Sequence, residues 1–312
     1  MHARSLGLGL AVLSAATFGT SGSFADSLLS AGWTPGAAVA ARIGLAAVLL
    51  TPAAVLQLRG RWQVLRAALP AVIAYGLVAV AGCQLFFFNA VEHLSVGVAL
   101  LLEYSGTLLV VAWMWLRHGQ RPRRRTALGG AVAVVGLMLV LDLTGAQHVS
   151  LVGVLWGLGA ATGLAVYFVV SARARTDVPP IAMAWGGMVV GAATLLLAGA
   201  VHAVPFAAST ADADFHGHRT SWLVPIVGLS LVAAAIAYTA GIGAARRLGA
   251  RLASFVGLAE VLFAVLFAWL LLDQQPTAIQ GVGGLLVLAG IALVRADERE
   301  PAVDTEPVPA QA

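Results

Sequence analysis

LEYSGTLLVVAWMWLRHGQRPRRRTALGGAVAVVGLMLV (residues 102–140) and LAEVLFAVLFAWLLLDQQPTAIQGVGGLLVLAGIALV (residues 258–294) decide the fold. Each reads as an apolar run, a polar turn with a proline, and a second apolar run rich in glycine. Gly129, Gly130 and Gly136 fall 7, 8 and 14 residues past Pro122, and Gly283, Gly284 and Gly290 fall 7, 8 and 14 residues past Pro276. An Ala-Trp pair precedes each proline, Ala112-Trp113 and Ala268-Trp269. Further upstream stands one glutamate in each apolar run, Glu103 and Glu260. At the front of each half, Ala15-Ala16-Thr17 matches Ala160-Ala161-Thr162. The chain repeats itself across its middle.

Working outward, ten apolar runs appear: about 6–28, 35–57, 68–90, 94–116, 126–143, 149–171, 180–202, 221–243, 251–272 and 276–295. A helix needs roughly 20 mostly apolar residues to cross the hydrocarbon core. Backbone groups in lipid must be paired internally, so each run is expected to be helical. The fold class is therefore all-α, a polytopic membrane protein of ten transmembrane helices. Two halves of five follow, residues 1–145 and 146–295. An odd number makes the second copy enter the membrane upside down, the inverted-repeat plan of many transporters. The acidic, proline-containing tail, residues 296–312, is expected to be disordered and cytoplasmic.

Composition agrees. Hydrophobic residues make up 60% of the 312 and charged residues only 10%, against roughly 45–50% and 25% in soluble domains. The sequence pI near 10.0 does not signal nucleic acid. Every basic residue is arginine, and nearly all sit between the apolar runs. With the N-terminus in the cytoplasm, arginines alternate correctly at every loop: Arg59, Arg61 and Arg66, then Arg117 to Arg125, then Arg173 and Arg175, then Arg246, Arg247 and Arg251, then Arg295 and Arg299. The opposite side carries only Arg219. This is the positive-inside pattern, and it places both termini inside a plasma or inner membrane. The first run is too long for a cleaved leader and reads as a retained helix. The single cysteine, Cys83, lies inside an apolar run and excludes a disulfide framework.

An ionisable group at the bilayer centre costs at least about 2.5–3.5 kcal/mol, so each one needs a reason. Glu103 lies nine residues past Leu94 and Glu260 nine past Arg251, each roughly 14 Å deep at 1.5 Å per residue, from opposite faces. They bind a cationic substrate group or a proton, or they serve structure by bonding helix ends or pairing with Arg42. Arg42 lies well inside the second run. It pairs with Glu103 or Asp26, faces a substrate carboxylate, or snorkels to the outer interface. Helix 1 puts Ser14, Thr17 and Ser21 on one face by helical spacing. Tyr75 and Gln84 in the third run, Thr162 and Tyr167 in the sixth and Tyr238 in the eighth are the other polar candidates for a cavity wall; Trp156 is an aromatic one. Each polar one, taken alone, is more often an interhelical hydrogen bond than a ligand contact. The segment Asp212 to His218 holds metal-ligand residue types, but it reads as a solvated outer loop, and neither metal nor cofactor is expected.

The stretches quoted first resemble the two EamA-type repeats of the drug/metabolite transporter superfamily, and the resemblance covers residues from about 6 to 295. Two departures stand out. Tyr104 and Val261 follow the glutamates where the family often has proline. Gly119-Gln120-Arg121 and Asp273-Gln274-Gln275 stand where a Gly-Glu pair often opens the turn. The resemblance implies movement of small metabolites, amino acids or drug-like compounds, often outward, with no enzymatic step. Without lysine the chain has no phosphate-binding P-loop, so any active transport is secondary or borrows a partner subunit. The expected function is efflux by alternating access through a central cavity, protons being a candidate coupling ion and lipids the surroundings. The alternative is a membrane-embedded enzyme acting on a lipid-linked substrate, which would need clustered His, Asp or Lys near one interface. The histidines here are scattered over loops.

Overall fold

The computed structural model describes residues 2–91, 93–94, 96–142, 150–172, 178–215 and 218–297. Nine helices among them are long and apolar enough to cross a membrane. They are α1 (Ser5–Ser30), α2 (Pro35–Leu58), α3 (Leu69–Phe87), α4 (Val98–His118), α6 (Leu151–Ser171), α7 (Pro180–Ala200), α8 (Leu223–Leu248), α9 (Ala250–Leu272) and α10 (Ala278–Asp297). The tenth is α5 (Arg124–Val140), 17 residues long, about 26 Å at 1.5 Å per residue. The protein is an all-α polytopic membrane protein of two inverted five-helix repeats. Its outer surface is apolar: Leu116, Leu151, Leu56 and Leu285 are each at least two-thirds exposed, which only lipid tolerates at this density.

The packing obeys a pseudo-two-fold. α1 packs on α8 and α9, while α6, its counterpart, packs on α3 and α4. α2 packs on α8 and α7 on α3. The two self-related pairs, α2 with α7 and α5 with α10, form the axis. At the α5–α10 crossing the repeated glycines meet: a Cβ on Gly290 would stand 2.6 Å from the Gly129 carbonyl, and one on Gly136 2.7 Å from the Gly283 carbonyl. Gly129 meets Gly290 and Gly136 meets Gly283, so the two contacts are counterparts of each other, as a two-fold requires. Small residues let these backbones close up where lipid supplies no hydrophobic drive.

Local irregularities also come in pairs. α3 carries a π-helical stretch at Tyr75–Gly82 and α8 one at Gly228–Ile236. α4 breaks at Ser105 and α9 at Leu258, each within two residues of its glutamate. α4 ends in a left-handed residue, Gly119 (φ 68°), and α9 in Asp273 (φ 54°). Both ends close with the same six-residue backbone bond, Gln120 N to Met114 O at 3.1 Å and Gln274 N to Ala268 O at 3.2 Å. The left-handed residue at each end turns the chain so that this bond can close on the last turn. Asp is tolerated there because its short polar side chain suits the left-handed region better than most.

Boundaries differ modestly from the sequence expectation. α8 runs a turn further, to Leu248, so Arg246 and Arg247 belong to the helix. α10 extends to Asp297, whose carboxylate takes the Thr126 hydroxyl and ties the end of α10 to the start of α5. The outer loop is more ordered than a plain solvated loop. It forms an antiparallel hairpin of β1 (Ala213–Phe215) and β2 (His218–Thr220), with Asp214 opposite Arg219. Phe215 packs edge-on against Phe24 of α1. His216 and residues 298–312 of the tail lie outside the described residues.

The loops sort onto two faces. On one, Arg251 Nη2 donates to the Gln120 carbonyl at 3.1 Å, and Gly7 lies against Arg247. On the other, Trp33 Nε1 donates to Ser209 O at 2.7 Å, and Gln280 Nε2 donates to Val140 O at 3.1 Å. The arginine-rich α4–α5 and α8–α9 turns therefore share a face, opposite the α1–α2 turn and the hairpin.

Candidate functional site

Between the halves lies a cavity of about 700 Å³, within the roughly 300–1,000 Å³ of small-molecule sites. α1 lines it along most of its length. Thr17 and Thr20 return their hydroxyls to carbonyls a turn back, Thr17 to Leu13 O and Thr20 to Thr17 O, both at 2.7 Å. Such back-bonding bends helices, and α1 is interrupted at Thr20. The bend leaves Ser21 on the cavity wall.

The cavity brings together both glutamates and the intramembrane arginine. Glu103 Oε1 accepts from Cys83 Sγ at 3.3 Å, and Cys83 also reaches Ala160 O at 3.4 Å. Tyr104, on α4 of one repeat, lines the same cavity as Glu260, on α9 of the other. The break at Ser105 is held by Ser105 Oγ on Leu102 O at 2.5 Å. The break at Leu258 is held by a tight turn, Val261 N to Leu258 O at 3.2 Å. Interruptions of this kind free a helix from strict register where a side chain must be aimed.

Arg42 is only 6% exposed. Its fork donates to neutral groups, Nη1 to Ser21 Oγ at 3.0 Å and Nη2 to Ala233 O at 2.6 Å. Its Nε has no hydrogen-bond partner, and the guanidinium lies 5.9 Å from the Phe18 ring centroid. Anchors on α1 and α8, Ser21 and Ala233, thus hold this cation at the cavity wall; pairing with Glu103 or Asp26 was one of the arrangements the sequence left open.

Of the remaining sequence candidates, Gln84, Tyr167 and Tyr238 line the cavity. Four do not. Thr17 is spent on its own helix. Tyr75 is fully buried beneath the cavity, 6.0 Å from Tyr167 between ring centroids. Trp156 stacks on Phe86 at 5.6 Å. Thr162 is exposed on the outer surface and bonds Leu158 O at 2.9 Å. Sequence reasoning passed over Phe18, Cys83 and Tyr104 as site residues. Tyr104 carried a signal, as a polar aromatic beside an intramembrane glutamate. Phe18 and Cys83 carried none, since apolar and thiol groups fit any helix of this composition.

The comparisons follow the same lines. The uncharacterized inner membrane transporter YicL of Salmonella typhimurium is 22% identical over 238 residues, 74% of each chain. The threonine/homoserine exporter RhtA of Escherichia coli K12 is 28% identical over 224 residues, 70% of this chain and 68% of that one. An uncharacterized transporter of Archaeoglobus fulgidus is 26% identical over 208 residues, 66% of this chain and 70% of that one. A crystal structure 22% identical superposes with a TM-score of 0.73, covering 96% of this chain and 99% of that one. The profile of the EamA-like transporter family matches twice, at residues 5–142 and 151–296. The chain is a multi-pass membrane transporter that belongs to the EamA-like transporter family.

Proposed function

We propose that the chain exports small zwitterionic metabolites, amino acids foremost, by alternating access through this cavity. The observation that carries the reading is one cation and two carboxyls facing a single apolar-walled space: Arg42, Glu103 and Glu260. An amino acid presents the complement. Its carboxylate suits the planar fork of arginine, and its ammonium suits a carboxyl group. The relative named as a threonine/homoserine exporter favours the same class. The arginine-rich face is cytoplasmic by the positive-inside pattern, with both termini on that side. The cavity wall runs from Ala11 and Ala253 to Asp26, Leu141 and Gln274 near the opposite face, and the seating of Tyr167 on Gly241 toward the cytoplasmic side favours an outward-open reading. Transport is secondary, and a proton carried on Glu103 or Glu260 couples export to proton entry. The relatives' transporter names weigh against the lipid-linked enzyme.

The test is counterflow of radiolabelled threonine and homoserine into preloaded proteoliposomes. Glu103→Gln and Glu260→Gln are each expected to lower exchange by about tenfold or more, a loss of about 1.4 kcal/mol. If both variants match the parent chain at every pH, the carboxylate role fails. If the parent exchanges neither amino acid, the substrate class fails.

A further inference from the structure

In the inner half of the bundle α6 and α8 meet, and in the outer half the cavity wall at Gly22 has open space around it. The inner seal lies between α6 and α8, where a Cβ added to Gly241 would collide with the Tyr167 hydroxyl and stand 2.8 Å from Ser14 Oγ. A bulky aromatic on one helix thus seats on a glycine of the other. Phe168 and Tyr238 pack edge-on against Tyr167, at 4.9 and 5.6 Å. The repeat places a partner pair in the outer half. Ala15-Ala16-Thr17 matches Ala160-Ala161-Thr162, an offset of 145, so Tyr167 on α6 corresponds to Gly22 on α1. Leu77-Val78-Ala79 matches Leu231-Val232-Ala233, an offset of 154 that also relates the ends of the two π-helical stretches, so Gly241 on α8 corresponds to Phe87 on α3. The two positions carry the same pair of residue types with the roles exchanged.

Gly22 and Phe87 both line the cavity. Gly22 is exposed, and a Cβ built on it meets nothing within 4 Å. Gly22 also lies two residues beyond the interruption of α1 at Thr20, on the short outer segment Ser21–Ser30. That segment can tilt while the inner part of α1 stays fixed by Ser14 Oγ on Ala237 O at 2.8 Å. We propose that Phe87 and Gly22 form the outer gate, the Phe87 ring seating on Gly22 when the outer half closes as the Tyr167 ring seats on Gly241 now. The inference rests on the alternating-access reading. In an inverted-repeat transporter the closed outer half takes the packing of the present inner half. The space at Gly22 is what makes that packing attainable, because any larger side chain there meets the incoming ring.

The experiment adds one reporter cysteine at a time to the full chain, Ala11→Cys at the inner end of the cavity or Leu141→Cys at its outer mouth. Each is labelled with a membrane-impermeant maleimide, the first in inside-out vesicles and the second in right-side-out vesicles. The chain without an added cysteine, whose only thiol is Cys83, gives the blank. Gly22→Phe fills the seat, so the outer half cannot close and the inner half cannot open. The Ala11→Cys rate is expected to fall by about tenfold or more, a population shift of that size being readily read. The exchange Gly22→Phe with Phe87→Gly is expected to restore the rate to within about threefold. Phe87→Ala, which adds no bulk, is expected to raise the Leu141→Cys rate above the parental rate by about twofold or more, because the outer half no longer closes. Parental rates in Gly22→Phe and in Phe87→Ala would overturn the gate while leaving alternating access intact. If Ala11→Cys never reacts from the inner side in the parent, alternating access itself fails, and the gate with it.

Discussion

Arg42 is the residue at which packing and the proposed recognition of substrate meet. Two of its nitrogens are spent on Ser21 and Ala233, one on each side of the cavity wall, and these contacts aim the head group. The fork is rigid and planar, so satisfying two partners leaves the third nitrogen in a defined place. Lysine has three donors on a flexible stem and cannot reproduce that geometry. Arg42→Lys is therefore expected to keep the fold but to weaken threonine binding by about tenfold or more, measured by scintillation proximity on the purified protein. Arg42→Met is expected to abolish binding. If the Lys variant binds like the parent and only its melting temperature falls, Arg42 is a structural strut and the recognition role is wrong.

Helix-scale stability rests on backbone approach rather than on large side chains. At the α5–α10 crossing, the nearest neighbour of Gly129, Gly136, Gly283 and Gly290 is a carbonyl or amide of the facing helix. No flexible side chain can give way there, so an added methyl must push the helices apart. Gly290→Ala is expected to cost about 1–3 kcal/mol, as overpacking does. Gly281, on the same helix, has open space around it, so Gly281→Ala is expected to be neutral or mildly stabilising. Thermal denaturation in detergent compares the two. Equal effects would mean that the crossing is not a tight contact. These glycines were legible in the sequence because they recur at fixed distances from a proline, and the ten helices were legible because lipid demands long apolar runs. The interruptions at Thr20, Ser105 and Leu258 were not. A residue that bends a transmembrane helix looks like any other small or polar residue until its bonding partner is known. For the same reason Thr17, Tyr75, Trp156 and Thr162 read as cavity residues: spacing assigns a face to a helix but does not say which neighbour covers that face.

At the scale of the whole molecule, two halves of like sequence cross the membrane in opposite senses, and their shared space holds the charges that neither half could bury alone. Glu103 comes from one repeat and Glu260 from the other, and both line the space between the repeats. The arginine distribution orients this arrangement, and the Arg251–Gln120 contact binds its two basic turns to one face. Sidedness is therefore the property on which all the rest depends. The direct measurement is labelling of Gln120→Cys, Arg247→Cys and Ser209→Cys, one at a time, with an impermeant maleimide on intact cells and on inside-out vesicles. Gln120→Cys and Arg247→Cys should react only in the inside-out vesicles, and Ser209→Cys only on intact cells. Reaction of Gln120→Cys and Arg247→Cys from opposite sides of the bilayer would contradict the inverted repeat.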